Sequence, residues 1–248
     1  MNKLLLHIPH ASTEIPLYDG YAVSKERLQE EMLLLTDWFT DDLFENPTDI
    51  SIKAPFSRIF CDTERFSDDA HEIMAQFGMG VLYEKTDSGA FLREVTPAIR
   101  AHILEHYYWK HHNHFTATVQ QELEQFDKAI IVDCHSFPQI PIQRVSIVAE
   151  ERPDFNIGTD AFHTSKELVA VAAQFFKEKG YSLGIDTPYS GSIVPMTYYQ
   201  KDKRVHSIML EINRRLYLKE PSNTKSTDYA ATKKVTQEFL DRIRNFNF

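Results

Sequence analysis

Ala129-Ile130-Ile131-Val132-Asp133-Cys134-His135-Ser136-Phe137-Pro138 begins as an unbroken apolar run and ends in polar chemistry. Ile and Val in three of its first four positions predict a buried strand of a mostly parallel sheet. Asp133 and His135 arrive where the apolar run stops, and Pro138 closes the regular structure. In open α/β sheets ligands gather beyond the carboxyl ends of strands, so a site is expected there. The plainer alternative is a histidine in a turn beside a capping aspartate.

The remaining elements are compatible with that sheet. Further strands are expected at 4–8, 50–54, 57–61, 78–83, 145–149, 181–185 and 205–212. Residues 25–44 have an apolar stripe at helical spacing, interrupted at Thr36-Asp37-Trp38-Phe39. Thr96-Pro97 is a helix start, a capping residue followed by proline at the first helical position, for a helix to about residue 123. Thr164 and Glu167 have capping-box spacing for a helix that Gly180 would stop, and 227–246 forms a closing amphipathic helix. No linker, repeat or low-complexity segment divides the chain. The expectation is an α/β fold, one domain over 1–248 with a central mixed, mostly parallel sheet flanked by helices.

Composition excludes several functions. A net charge of -9 argues against non-specific binding to nucleic acid or to anionic membranes. It leaves room for an anionic small substrate, because a few arginines make a local positive site. Two cysteines, Cys61 and Cys134, are too few for a disulfide framework and are expected to be buried and inert. No run approaches the length of a membrane span, and Leu4-Leu5-Leu6 is too short for a signal peptide, so a cytoplasmic location is expected. Nucleotide binding lacks its Gly-x-Gly-x-x-Gly or Walker signature.

Several polar residues stand out. His10 follows the first strand as His135 follows its own, and histidines at neighbouring strand ends can converge on one ion. His7, inside its strand, is the weaker ligand candidate. Asp37, beside bulky aromatics, is a more plausible carboxylate ligand than Asp41 or Asp42, which are expected to be solvated. Arg58 and Arg65 flank acids and form either an ion-paired turn or a bidentate grip on a substrate carboxylate. Glu211 is an acid inside the apolar run 205–212. Burial raises a carboxyl pKa towards neutrality, which suits a general base; a salt bridge to Arg214 or Arg215 is the bland alternative. His102-Ile103-Leu104-Glu105-His106 matches an inverted zinc-protease motif, in a histidine-rich helix where a solvated or core-edge face explains it as well.

Taken in order, His7-Ile8-Pro9-His10-Ala11-Ser12, Thr36-Asp37-Trp38, the stretch from Ser57 to Phe66, Gly78-Met79-Gly80-Val81, Asp133-Cys134-His135-Ser136-Phe137-Pro138, Ile157-Gly158-Thr159-Asp160 and Glu211-Ile212-Asn213-Arg214-Arg215-Leu216-Tyr217 resemble the N-formylglutamate amidohydrolase family. That resemblance implies zinc dependence, with other divalent metals possible. It also implies an α/β architecture like phosphorylase/hydrolase folds and zinc carboxypeptidases, and more distantly like aspartoacylase-type amidohydrolases. His10, Asp37 and His135 would be the metal ligands, with Glu14 in reserve for Asp37, because Thr13 occupies the carboxypeptidase position for the acidic ligand. Glu211 would be the general base and Arg58 would stabilise the oxyanion. Arg65, Arg144, Asn213 and Arg214 would hold the substrate, and Asp133 would orient His135.

The implied activity is hydrolysis of the N-acyl amide of an acidic amino acid, first of all N-formyl-L-glutamate to L-glutamate and formate. The alternatives are a zinc peptidase, either carboxypeptidase-like or built on His102, Glu105 and His106, and a non-catalytic protein that binds acidic amino acids. The expected partner is a small N-acyl amino acid, with neither nucleic acid nor membrane expected.

Overall fold

The computed structural model describes residues 3–143 and 152–247. Six strands form one sheet: β1 (Leu5–Ile8), β2 (Ile50–Lys53), β3 (Ala129–Phe137), β4 (Phe155–Gly158), β5 (Leu183–Ile185) and β6 (Val205–Asn213). Their spatial order is β2-β1-β3-β6-β4-β5. The first four in that order are mutually parallel, β4 runs antiparallel to β6, and β5 is parallel to β4. The sheet is therefore mixed and mostly parallel, as the apolar runs predicted.

β3 is buried at all nine positions and lies at the centre. Its side chains alternate between two differently built faces. Ile130, Val132 and Cys134 join Leu4, Leu6, Ile8, Ile208, Leu210 and Ile212 on one face. Phe175 and Phe176 of α5 (Lys166–Lys179) and Phe239 of α6 (Tyr229–Arg244) cover that face. Each such Leu, Ile or Phe contributes about 1.5–3 kcal/mol when fully buried, so this face anchors the fold. The other face is apolar only at its lower end, where Leu5, Ile131 and Val205 meet Phe115 and Val119 of α4 (Trp109–Phe126). Further along the strands this second face turns polar, with His7, Asp133, His135 and Glu211 on it.

Several predicted elements differ in detail. The helical stretch 25–44 is split into α1 (Lys25–Leu35) and α2 (Thr40–Leu43), with Phe39 in the left-handed region at φ 62°. Residues 57–61 form a turn instead of a strand, because the Ser57 carbonyl accepts the N–H groups of Phe60 (2.9 Å) and Cys61 (3.1 Å). Residues 78–83 contribute an isolated bridge between Met79 and Tyr83. The helix from Thr96 comprises α3 (Pro97–Ile103), a π-helical turn over Leu104–Tyr108, and α4. Ser165, not Thr164, caps α5; Thr164 Oγ1 donates instead to the Ser207 carbonyl at 2.6 Å. Gly180 ends that helix in the left-handed region, as expected. The predicted strand at 145–149 lies outside the described residues. Cys61 and Cys134 are free and buried, and burial pushes both thiols well up from their ordinary pKa. No helix among the described residues is long and apolar enough to cross a membrane.

Candidate metal centre and its cleft

Three side chains from three separate segments converge above the ends of β1 and β3. His10 follows the proline that closes β1, His135 is near the end of β3, and Asp37 occupies the break between α1 and α2. The break is held from several directions. Asp37 N donates to the His10 carbonyl (3.0 Å), Arg214 Nη1 to the Leu34 carbonyl (2.7 Å) and Tyr217 Oη to the Trp38 carbonyl (2.9 Å). Asp37 Oδ2 then lies 3.2 Å from His135 Nδ1 and 3.6 Å from His10 Nδ1. All three residues are at least 95% buried.

Both imidazoles are oriented by their opposite nitrogens. His10 Nε2 is 2.8 Å from Asp62 Oδ1, and His135 Nε2 is 3.0 Å from Asp133 Oδ1. A carboxylate accepting from Nε2–H leaves Nδ1 with its lone pair, which is how ligand histidines are oriented in metalloproteins. His10 Nδ1 is a buried nitrogen with no hydrogen-bond partner. The N, N, O donor set and this orphaned nitrogen fit a divalent ion such as zinc. Charge agrees with geometry. Burial works against ionisation of Asp37, yet the facing His10 imidazole, its hydrogen bond with His135 and the Arg214 cation hold its pKa far below the usual carboxylate range. Burial likewise opposes charge on His135, and Asp133 and Asp37 more than offset it, so its pKa lies well above 6.5. Carboxylates that stabilise a proton at this point would stabilise a metal cation there.

Beside these three side chains is a cleft of about 370 Å³, whose walls include Arg58, Arg65, His135, Glu211 and Arg214. Glu211 pairs in register with His135 across β3 and β6. Its Oε2 is buried without a hydrogen bond. Burial pushes its pKa up to about 8, with Asp37 adding to the rise and His135, Arg214 and Arg58 opposing it. A carboxyl so placed can exchange a proton near neutral pH. Arg58 donates to Tyr83 Oη (3.1 Å) and Asp62 Oδ2 (3.0 Å) at the cleft wall. Arg65 Nε is buried with no hydrogen bond, 3.7 Å from Asp62 Oδ2.

Other candidates from the sequence are placed differently. Glu14 is exposed and is not among the side chains that gather with His10 and His135, and its backbone N–H meets Ser12 Oγ. Arg214 reaches the cleft, but its guanidinium is engaged by Asp37 Oδ1 (3.1 Å), Leu34 O and Ser136, so it positions Asp37 instead of offering a free carboxylate grip. The Asn213 side chain is engaged within the protein: its Nδ2 donates to Gln139 Oε1 and Pro153 O, and its Oδ1 accepts from Arg215 N. Contact of Asn213 with a substrate would have to displace these bonds. Arg144 lies outside the described residues. His102, Glu105 and His106 are exposed on the outer side of their helix, and they form no three-ligand cluster among the described residues.

Two features had not been assigned from sequence. Asp62, fully buried, accepts from Tyr83 Oη (2.7 Å) and Arg58 as well as meeting His10. His7 Nδ1 lies 3.0 Å from both Asp133 Oδ1 and Glu64 Oε1, its Nε2 is 2.9 Å from His111 Nε2, and its ring stacks on Phe115. His7, Glu64 and Asp133 make a second group able to hold a cation. Burial opposes charge on His7, but Asp133 and Glu64 push its pKa up to about 9, while burial and the His7 charge push His111 down to about 2. A cationic His7 thus donates to a neutral His111, under the carboxylate that orients His135.

Fold and site together define a class: an α/β protein whose parallel strand ends carry a buried two-histidine, one-aspartate centre beside an arginine-walled cleft. The family model for N-formylglutamate amidohydrolase matches residues 2–218. The chain belongs to that family. Its fold is similar to the crystal structure of N-formylglutamate amidohydrolase from Ralstonia eutropha JMP134, at a TM-score of 0.85 and 24% identity, covering 98% of this chain and 93% of that one. A gene product of Agrobacterium tumefaciens is similar at a TM-score of 0.67 and 15% identity, covering 98% and 92%. No curated protein matches the chain in sequence.

Proposed function

We propose that this protein is a metal-dependent amidohydrolase that removes the N-acyl group from an acidic amino acid, N-formyl-L-glutamate being the first substrate to test. The observation that carries this is the meeting of three donor atoms, His10 Nδ1, His135 Nδ1 and Asp37 Oδ2, beside Glu211, whose carboxyl is held near pH 8. Family membership supports the reaction class.

His10, Asp37 and His135 would hold the ion, zinc by the chemistry of the donors. Bound there, it supplies Lewis acidity towards water and the acyl carbonyl. The protein's own groups do the rest. Glu211 accepts a proton from the attacking water and returns it to the leaving nitrogen, so that the acyl C–N bond breaks as a C–O bond forms. Arg58, oriented by Tyr83 and Asp62, faces the charge that develops on the acyl oxygen. Arg65, at the cleft wall and with an Nε that makes no hydrogen bond, takes a substrate carboxylate. Arg214 and Asp133 position Asp37 and His135.

A panel of N-acyl amino acids assayed with and without added zinc tests this. The expected result is metal-dependent release of acidic amino acids, lost on chelation. Turnover that survives a chelator removes the metal from the mechanism. Ligand-induced thermal stabilisation without product would mark a binding protein instead.

A further inference from the structure

A second cavity of about 350 Å³ lies against the same face of the sheet, between the start of α4 and the segment after Tyr189. It shares Glu64, Arg65, Ser190 and Met209 with the first, so the two chambers adjoin, with these four residues as the neck between them. Met209 and Glu211 project from the same face of β6, two residues and therefore about 7 Å apart. The second chamber thus begins one strand repeat below the proposed general base.

Its walls differ from those of the first chamber. Phe66, Tyr108, Val194, Met196, Tyr199 and Met209 supply apolar surface. Most polar atoms among its walls are already bonded within the protein. Tyr108 Oη donates to the Arg65 carbonyl (2.8 Å), His112 Nε2 meets the Thr63 carbonyl (3.0 Å), and Ser192 Oγ meets Ser207 Oγ. Asp133 is held by His7 and His135 and accepts from Ile193 N (3.1 Å). What these residues present to the cavity is mainly ring faces and hydrocarbon. The buried polar atoms of its walls left without a hydrogen bond, Thr63 Oγ1, Glu64 Oε1 and Arg65 Nε, are consecutive at the neck, and Glu64 Oε1 faces His7 Nδ1 at 3.0 Å.

Charge then decides which half of a substrate goes where. The first chamber sets three arginines, Arg58, Arg65 and Arg214, against Asp37, Glu64 and Glu211, whereas the second has Arg65 alone against Glu64 and Asp133. The carboxylates of an acidic amino acid belong with the arginines and are disfavoured beyond the neck. The uncharged acyl half is the part that fits the second chamber.

We infer that the second chamber is an acyl-chain subsite, so that N-acyl amino acids with apolar acyl groups much longer than formyl are substrates of this centre. This rests on the amidohydrolase function proposed above. The reaction is unchanged in kind: one water is consumed, the acyl C–N bond is cleaved, a fatty acid is left in the second chamber and an amino acid in the first. Ser190 at the neck and Met196 at the outer rim are exposed, so a bulky replacement at either can fill the chamber without disturbing the core.

The test compares kcat/KM for N-formyl-, N-acetyl- and N-hexanoyl-L-glutamate with the zinc-supplied full chain. The hexanoyl compound is expected to match or exceed the formyl one. Ser190→Trp is expected to lower the hexanoyl-to-formyl ratio roughly tenfold or more, and Met196→Trp to lower it less. Hydrolysis of the formyl substrate with hexanoyl turnover below roughly a hundredth of it overturns the subsite and leaves the amidohydrolase standing. A ratio that neither variant moves overturns the subsite as well. Hydrolysis of none of the three, with or without zinc, overturns the function and the subsite together.

Discussion

Two histidine–carboxylate clusters lie one strand repeat apart on the same face of the sheet, and they are built to opposite ends. In the upper one, His10 and His135 each fix one ring nitrogen on a carboxylate and turn the other towards Asp37, beside a cleft. In the lower one, both nitrogens of His7 are engaged, by Asp133, Glu64 and His111, and its ring is stacked on Phe115. The upper cluster keeps donor atoms for something from outside. The lower one is closed by its own contacts and serves as the base on which Asp133, and through it His135, is held. Residue types alone do not separate a ligand set from its support; the free ring nitrogen does.

The sharpest way to break this contrast is to remove one histidine from each cluster. His135→Ala is expected to abolish both metal binding and turnover. His111→Ala, which removes the neighbour of His7, is expected to leave metal content near one ion per chain by elemental analysis. Equal loss of metal in both variants would show that the lower cluster is itself the binding site. Glu211→Gln divides the upper cluster further. It is expected to retain the metal while losing roughly 10²–10⁴-fold in kcat, the usual range for a general acid–base group. Near-normal turnover would remove Glu211 from the mechanism.

The contrast also sets how far the sequence could be read. β3 and β6 were legible because burial on both faces demands unbroken apolar runs, and the intrusion of Asp133, His135 and Glu211 into those runs marked the site. Asp37, singled out beside bulky aromatics where an apolar stripe is interrupted, falls in the break between α1 and α2. What was not legible depends on pairing across the fold. Asp62 approaches His10 from fifty-two residues away, and its sequence neighbourhood equally suits an ion-paired turn. His111 is one of five histidines on a single helical run, and only the position of His7 on β1 selects it. Residues 57–61 have strand-like composition, but the Ser57 carbonyl closes them into a turn. Asn213 and Arg214 come two and three residues after Glu211, where β6 gives way to a short 3-10 turn at Arg214–Leu216, and their partners, Gln139 for one and Asp37 for the other, come from distant parts of the chain.

A smaller effect is expected from the lower cluster itself. With folded-state pKa raised from 6.5 to about 9, burial being outweighed by Asp133 and Glu64, His7 binds its proton more tightly in the folded than in the unfolded chain. Its contribution is therefore complete below pH 6.5 and is lost as pH rises to about 9, with an upper size of about 3 kcal/mol. Glu211, raised by burial from 4.5 to about 8, has the same sign over a lower window. Denaturant titrations of the metal-free protein should show stability falling between pH 6.5 and 9. His7→Asn should flatten that fall and weaken zinc binding by roughly 10–100-fold, as loss of a residue supporting a ligand does. A pH dependence unchanged in His7→Asn would mean that His7 is neutral in the folded protein.

The smallest expected effect is none, and it bears on the rival set of ligands. His102 and His106 are four residues apart and their rings are in contact at 4.4 Å between centroids, so the pair has the spacing that a helical metal motif requires. Both are exposed, as is Glu105, and the helix changes to a π-helical turn at Leu104–Tyr108, within the motif. A catalytic zinc centre takes three protein ligands and keeps its water within a shaped cavity; here the pair faces solvent and no third ligand atom joins it among the described residues. His102→Ala should therefore leave zinc stoichiometry, kcat and KM where they are. Loss of one zinc equivalent in His102→Ala, with His135→Ala still metal-loaded, would transfer the chemistry from the strand ends to the helix.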